Sequence, residues 1–220
     1  MDNPNLILFF VLVISYITGS FPTSIIMGKL IKKIDIRDHG SGNAGATNVF
    51  RVLGMKPALI VITIDILKGW LPAYYFATIF LNLTTIPDLG ILQILCGFSA
   101  VLGHTYTIFA NFKGGKGVGT LGGMLIAMFP IAVVLCIIVF VITLILTGYV
   151  SVGSMITSAS LPIFLLTLPL LGIEPAELSL IVFSLMVPFF VIYTHRSNLS
   201  RLRNGEENRF HKAMIFNKKS

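Results

Sequence analysis

The sequence predicts an all-α integral membrane protein with seven transmembrane helices, the N-terminus outside and the C-terminus in the cytoplasm. Three observations predict it. Of 220 residues, 55% are hydrophobic and only 11% charged, against about 25% charged in an ordinary soluble domain. Apolar segments of bilayer-spanning length recur along the chain. The stretches between them sort by charge.

The apolar segments lie at 5–27, 57–81, 89–110, 121–147, 150–171 and 177–194, where a span needs about 20 residues. The first is read as a retained helix through Met27, because MDNPN lacks the positive n-region of a cleavable signal. Fifteen of the sixteen Lys and Arg residues fall in three places. Lys29, Lys32, Lys33, Arg37, Arg51 and Lys56 lie in 28–56, and Lys113 and Lys116 in 111–120. Arg196, Arg201, Arg203, Arg209, Lys212, Lys218 and Lys219 lie in the tail. The other connections hold Asp88, Glu174 and Glu177, and Asp2 precedes the first span. Cytoplasmic loops collect the positive charge, so the three basic regions are inside.

Parity then demands an even number of crossings between 111–120 and the tail, yet three apolar segments intervene. Pro130 in the long segment 121–147 resolves this. Proline has no N–H and breaks the helix ladder, so two helices, about 118–129 and 130–147, are expected. The turn at 147–154 then also faces the cytoplasm. The sixteenth basic residue is Lys68, within an apolar segment and three residues after Asp65. That spacing puts both on one helix face. Unpaired charge in a membrane is costly, so they are expected to form an ion pair.

The net charge of +7 does not indicate nucleic acid, because the basic residues flank apolar runs as membrane topology requires. Cys96 and Cys136 stand alone in separate apolar segments and read as packing residues. No metal or organic cofactor is indicated. Asp35, Asp38, Glu206 and Glu207 are the only carboxylates on the basic side, too few to cluster round two metals.

The chemistry gathers in four connections. In HGSGNAGATNVFRVLG, residues 39–54, Ser41, Asn43, Thr47 and Asn48 offer neutral donors and Arg51 a planar fork suited to phosphate. The same residues also suit a polar turn before an amphipathic surface helix. In GHTYTIFANFKGGKGVGT, residues 103–120, Gly114, Gly115, Lys116 and Gly117 lead into a helix start, where backbone N–H groups and the helix dipole favour an anion. It is not a nucleotide-binding P-loop, since Gly117 follows Lys116 where Ser or Thr is required. His104 nearby reads as a hydrogen-bonded packing residue. In YVSVGS, Ser151 and Ser154 share a helix face. In YTHRSNLSRLRNGEENRF, residues 193–210, His195 and Asn198 are three apart and could orient a hydroxyl. A basic tail that attracts anionic lipid fits the same segment. Together these imply a cytoplasmic-facing pocket for a strongly anionic substrate. A membrane transporter of a phosphorylated or anionic small molecule is the competing class, but it would place ligand-binding charge near the midplane rather than on one side.

GSGNAGATNVFRVLG, GHTYTIFANFKGGKGVGT and HRSNLSRLRNGEENRF resemble the three cytoplasmic motifs of the bacterial acyl-phosphate:glycerol-3-phosphate acyltransferases, in order and over nearly the whole chain. The resemblance implies that residues 1–220 form a single membrane-embedded acyltransferase domain in the cell membrane. It implies transfer of a fatty acyl group from acyl phosphate to the 1-hydroxyl of glycerol 3-phosphate, giving lysophosphatidic acid, with no obligate protein partner. Ser41, Asn43, Thr47 and Arg51 match the first motif, Lys116 and its flanking glycines the second, and His195 and Asn198 the third. The family's serine after the fifth span falls on Ser154, with Ser151 the second choice. One departure is Tyr106-Thr107, where the second motif often carries a proline-valine pair. Either His195 or a substrate phosphate could take the hydroxyl proton.

Overall fold

The computed structural model describes residues 3–173 and 177–210. Asp2, Glu174, His211, Lys212, Lys218 and Lys219 lie outside the described residues. Among the described residues the regular structure is all helical, with no strand. It divides into two compact units between Met128 and Phe129.

The first unit begins with α1 (Pro4–Ser20), whose start is set by Asn3 accepting from the Asn5 N–H and by proline at the first helical position. The expected single helix through Met27 is interrupted. Phe21 leaves the helical region at ψ 116, because the residue before a proline is driven to extended backbone and Pro22 has no N–H to continue the ladder. The chain resumes as α2 (Thr23–Lys32), which ends at Lys33 in the left-handed region. α3 (Ala46–Leu53) and α4 (Met55–Leu71) follow. A π-turn at Pro72–Phe76, short α5 (Ala77–Phe80) and a 3₁₀ turn extend α4. α6 (Leu89–Thr105) is capped by Asp88 accepting from the Ile91 N–H at 2.7 Å, and α7 (Val118–Met128) closes the unit.

Small residues hold this bundle together. A Cβ on Gly19 or Gly103 would strike the backbone of Ala100 or Tyr16, so α1 and α6 touch main chain to main chain. Gly69 meets Thr120 and Gly123 meets Ile66 in the same way, joining α4 to α7. Helices in lipid gain nothing from hiding apolar surface from each other, so close van der Waals approach at glycine is what binds them. Lys68 Nζ lies 2.8 Å from Asp65 Oδ1, both almost fully buried, as their spacing and the cost of a lone charge require.

The second unit holds α8 (Pro130–Thr147), α9 (Val150–Thr167), α10 (Leu178–Thr194) and α11 (Arg196–Arg203). Pro130 does break the long apolar segment: α7 ends at Met128, Phe129 is non-helical, and Pro130 is the first residue of α8. Gly148 ends α8 with φ 73, and its N–H returns to the Leu144 carbonyl. α10 and α11 meet at 59°. Among the described residues, five helical stretches are long and apolar enough to cross a bilayer, or six with the bent α10–α11 pair. The seven spans expected are thus not all of bilayer length among the described residues: α7 is a shorter apolar helix of 11 residues and reaches only about 16 Å.

Candidate active site

In the first unit, the loop before α3 is wound around one amide. Asn48 is 1% exposed. Its Oδ1 accepts from the Ser41 N–H at 2.8 Å, and its Nδ2 donates to the carbonyls of Ile36 and His39 at 2.8 and 2.9 Å. Asn48, expected among the substrate donors, therefore has its amide committed to the loop's own backbone. Gly40 and Gly42 supply left-handed turns at φ 63 and 72, a conformation that side chains disfavour. The result presents Ser41, Asn43 and Thr47 half-buried at the mouth of α3, with Arg51 half-buried in its last turn. Ile36, Ala44 and Val49 anchor the loop in a core shared with Ala58, Val61 and Ala110.

The glycine-rich stretch lies against this loop. The N–H groups of Gly114 and Gly115 return to the Thr105 and His104 carbonyls at 3.0 and 3.1 Å, satisfying acceptors that a helix end would otherwise leave bare. A Cβ on Gly115 would press on the His104 ring and the Ala44 carbonyl, so the first and second motifs abut at Ala44 and Gly115. Gly117, at φ 80, turns the chain into α7 directly after half-buried Lys116. Arg37 braces the turn from outside, donating to the Ala110 and Lys113 carbonyls at 3.1 Å each. Its hydrogen bonds hold the Asp35 carboxyl below the usual carboxylate range. The N–H groups of Gly114 and Gly115, expected to face an anion, are thus spent within the protein, and the donors left on these adjoining elements are the hydroxyls of Ser41 and Thr47, the Asn43 amide and the cations Arg51 and Lys116, which suit phosphate.

In the second unit, His195 and Asn198 stand at the α10–α11 bend, both buried. His195 Nδ1 is 2.8 Å from the Val191 carbonyl. A carbonyl only accepts, so Nδ1 carries the proton and Nε2 is the basic atom. Asn198 Nδ2 donates to Glu207 Oε1 at 2.6 Å, and Ser151 donates to the same oxygen at 2.9 Å. Arg201 Nε reaches Oε2 at 2.8 Å. Burial alone would raise the Glu207 carboxyl, but the bonds from Arg201, Asn198 and Ser151 prevail and hold it below its ordinary value. Ser154, four helical positions after Val150, donates to that residue's carbonyl at 3.0 Å. Ser151, the second choice, is thus the serine joined to the third motif. Glu207 stands outside the residues that the sequence motifs single out. The available signal was the Asn204-Gly205 turn just before it, which folds the tail back with Gly205 at φ 75.

Fold and site together define a helical membrane protein with the polar and basic residues of its three motifs gathered at helix ends. Residues 9–205 match the glycerol-3-phosphate acyltransferase family model, and the chain belongs to that family. The glycerol-3-phosphate acyltransferase of Chlorobium chlorochromatii (strain CaD3) is 43% identical, over 90% of this chain and 95% of its own. That of Pelodictyon phaeoclathratiforme (strain DSM 5477 / BU-1) is 41% identical over 90% and 94%. Among solved structures, PlsY (YgiH), an integral membrane glycerol 3-phosphate acyltransferase in its glycerol 3-phosphate form, superposes with a TM-score of 0.79 at 33% identity, covering 92% of this chain and 95% of that one. Its lysophosphatidic acid form gives 0.76, also at 33% identity, over 92% and 94%.

Proposed function

We propose that this protein transfers a fatty acyl group from acyl phosphate to the sn-1 hydroxyl of glycerol 3-phosphate, yielding lysophosphatidic acid and phosphate for phospholipid synthesis. Family membership supports the reaction. The donor-rich loops of the first unit, with Arg51 and Lys116, carry the assignment of anionic substrates to it. The whole chain acts as one acyltransferase domain in the cell membrane, with seven crossings, the N-terminus outside and the polar helix ends in the cytoplasm. There α7 serves as the short seventh crossing.

The roles follow from chemistry. In the first unit Asn43, Thr47, Arg51 and Lys116 bind substrate phosphate, with the glycines at 114, 115 and 117 shaping the turn that presents Lys116; in the second, Ser154 binds substrate. Asn48 serves the same site by holding the loop that presents Ser41. The glycerol hydroxyl oxygen attacks the acyl carbonyl carbon. Its proton passes to His195 Nε2 or to the substrate phosphate, and the carbon–oxygen bond to phosphate breaks, with the electron pair leaving on phosphate. Ser41 and Asn198 orient the hydroxyl and the carbonyl oxygen. Acyl phosphate is already activated, so no nucleotide site is required. The acyl chain lies along apolar helix faces within the bilayer.

The test is acyl transfer by the purified protein in lipid, with labelled glycerol 3-phosphate offered acyl phosphate, acyl-CoA or acyl-carrier protein. Lysophosphatidic acid formed from acyl phosphate alone is the expected result. Product from a thioester donor overturns the donor assignment, and no product from any donor overturns the reaction. A His195→Gln variant separates the two proton acceptors. Complete loss points to the imidazole, and residual turnover with an unchanged pH profile points to phosphate.

A further inference from the structure

We infer that Asp65, Lys68 and His104 form a buried polar brace that positions the glycine-rich turn carrying Lys116. This deepens the proposed function, since it rests on that turn holding a substrate phosphate.

All three side chains are nearly inaccessible, at 3%, 6% and 7% relative exposure. Asp65 Oδ1 is the hub, 2.8 Å from Lys68 Nζ and 3.6 Å from His104 Nδ1. Each spoke ends on a feature near the site. Lys68 donates to the Phe21 carbonyl at 3.0 Å, which at the break before Pro22 also accepts from the Thr23 N–H. His104 presents its other ring nitrogen to Gly115, where a Cβ would collide with it. The imidazole is therefore wedged between the hub and the turn. Through its main chain, the same histidine accepts from the Gly115 N–H.

The turn needs such support because, of residues 114–117, three are glycine and bring no side chain of their own to packing. Glycines offer no side chain to a core, and the turn borders a small cleft. The cleft is lined by Ser20, Thr23, Lys68, His104, Gly114 and Gly115. The hydroxyls of Ser20 and Thr23 are buried without a hydrogen-bond partner, so polar groups of the cleft stay unmet beside the turn. At Gly114 and Gly115 it is held by two backbone hydrogen bonds, by the Ala44 carbonyl and by the imidazole, with Arg37 bracing the turn from outside. An ion pair in this position costs desolvation and need not stabilise the fold over an apolar pair. Its geometry is directed at the turn.

The experiment is hydrogen exchange of the full chain in lipid, read over residues 106–117, followed by steady-state kinetics. The variants are His104→Ala, His104→Gln, and the charge-free double substitution Asp65→Asn with Lys68→Met, which leaves no buried charge unpaired. Exchange across 106–117 is expected to quicken about 10-fold or more in His104→Ala and in the double variant. The middle of α6 should keep its wild-type rate, and His104→Gln should recover most of the protection. The Michaelis constant that rises in Lys116→Ala should rise in His104→Ala too, and combining the two should add little. Wild-type exchange in both variants, uniform loosening of α4 and α6, or full additivity with Lys116→Ala overturns the brace. If the wild-type protein transfers no acyl group, the enzymatic reading falls, and the exchange rates still decide the brace.

Discussion

Asn198 Nδ2 donates to Glu207 Oε1 over 2.6 Å, tying the third motif to the chain nine residues further on. The same carboxylate holds Ser151 and Arg201. Past it, Arg209 donates to the Tyr149 hydroxyl at 2.7 Å and the Phe210 N–H to the Gly148 carbonyl at 2.7 Å. Residues 204–210 are thus a strap laid back over the α8–α9 turn. Glu207→Gln keeps the shape but loses charge-assisted bonds, each worth about 1.5–3 kcal/mol. A fall in kcat/KM of about 10–100-fold is expected, and Glu207→Ala should be worse. Kinetics with acyl phosphate and glycerol 3-phosphate check this.

The same carboxylate sets a pH dependence. Its folded pKa is depressed below the unfolded value by its hydrogen bonds. Its contribution is therefore fully present above the ordinary carboxylate value, and it is lost as pH falls through the folded one. Exchange of the amides in 204–210 should quicken on acidification below about pH 4.5 in wild type. It should be fast and pH-insensitive, after correction for the intrinsic rate, in Glu207→Gln.

Two glycines should respond oppositely to alanine. At Gly115 a Cβ would run into the His104 ring and the Ala44 carbonyl, so Gly115→Ala must displace the turn, with a cost of about 1–3 kcal/mol and loss of activity. At Gly122, inside α7, a Cβ meets nothing within 4 Å. There Gly122→Ala should stabilise by about 0.5–1 kcal/mol through helix propensity alone. Thermal unfolding in one detergent measures both.

Asn48→Ala leaves the Ser41 N–H and the carbonyls of Ile36 and His39 without their partner. A loss of about 2–4 kcal/mol is expected, from buried groups at about 1–3 kcal/mol each with partial relaxation. Asn48→Asp should be no better, because it turns an oxygen toward two carbonyls. Thr47→Ala and Arg51→Ala, by contrast, should spare stability and raise a Michaelis constant, and the two kinds of variant separate on a plot of Tm against KM.

Lys116→Ala should weaken binding of a phosphate substrate by about 10–100-fold, as loss of a charge-assisted contact implies. Lys116→Arg should restore part of it, since charge is kept while the point geometry is not. Substrate titration at fixed donor concentration reads both.

Much of the framework was legible in residue order. Pro130 announced the break before α8, and the spacing of Asp65 and Lys68 announced their ion pair, because both depend on neighbours within one turn. The break at Pro22 was equally local, yet the unbroken apolar character of 5–27 concealed it. Hydropathy measures only how much grease a segment carries, while a helix ends where the hydrogen-bond ladder does.

The candidate site divides along the same line. Composition and charge determined that this is a multi-span membrane protein, and the three motifs determined its family, because solvation and short-range chemistry are written in runs of adjacent residues. Only tertiary structure decided that Asn48 holds its own loop, that His104 lies between Asp65 and Gly115, and that Glu207 gathers Ser151, Asn198 and Arg201. Each of those contacts joins residues several to dozens of positions apart. A side chain's partner at that range is chosen by the packing of helices and the folding back of loops, which no local pattern of residues specifies.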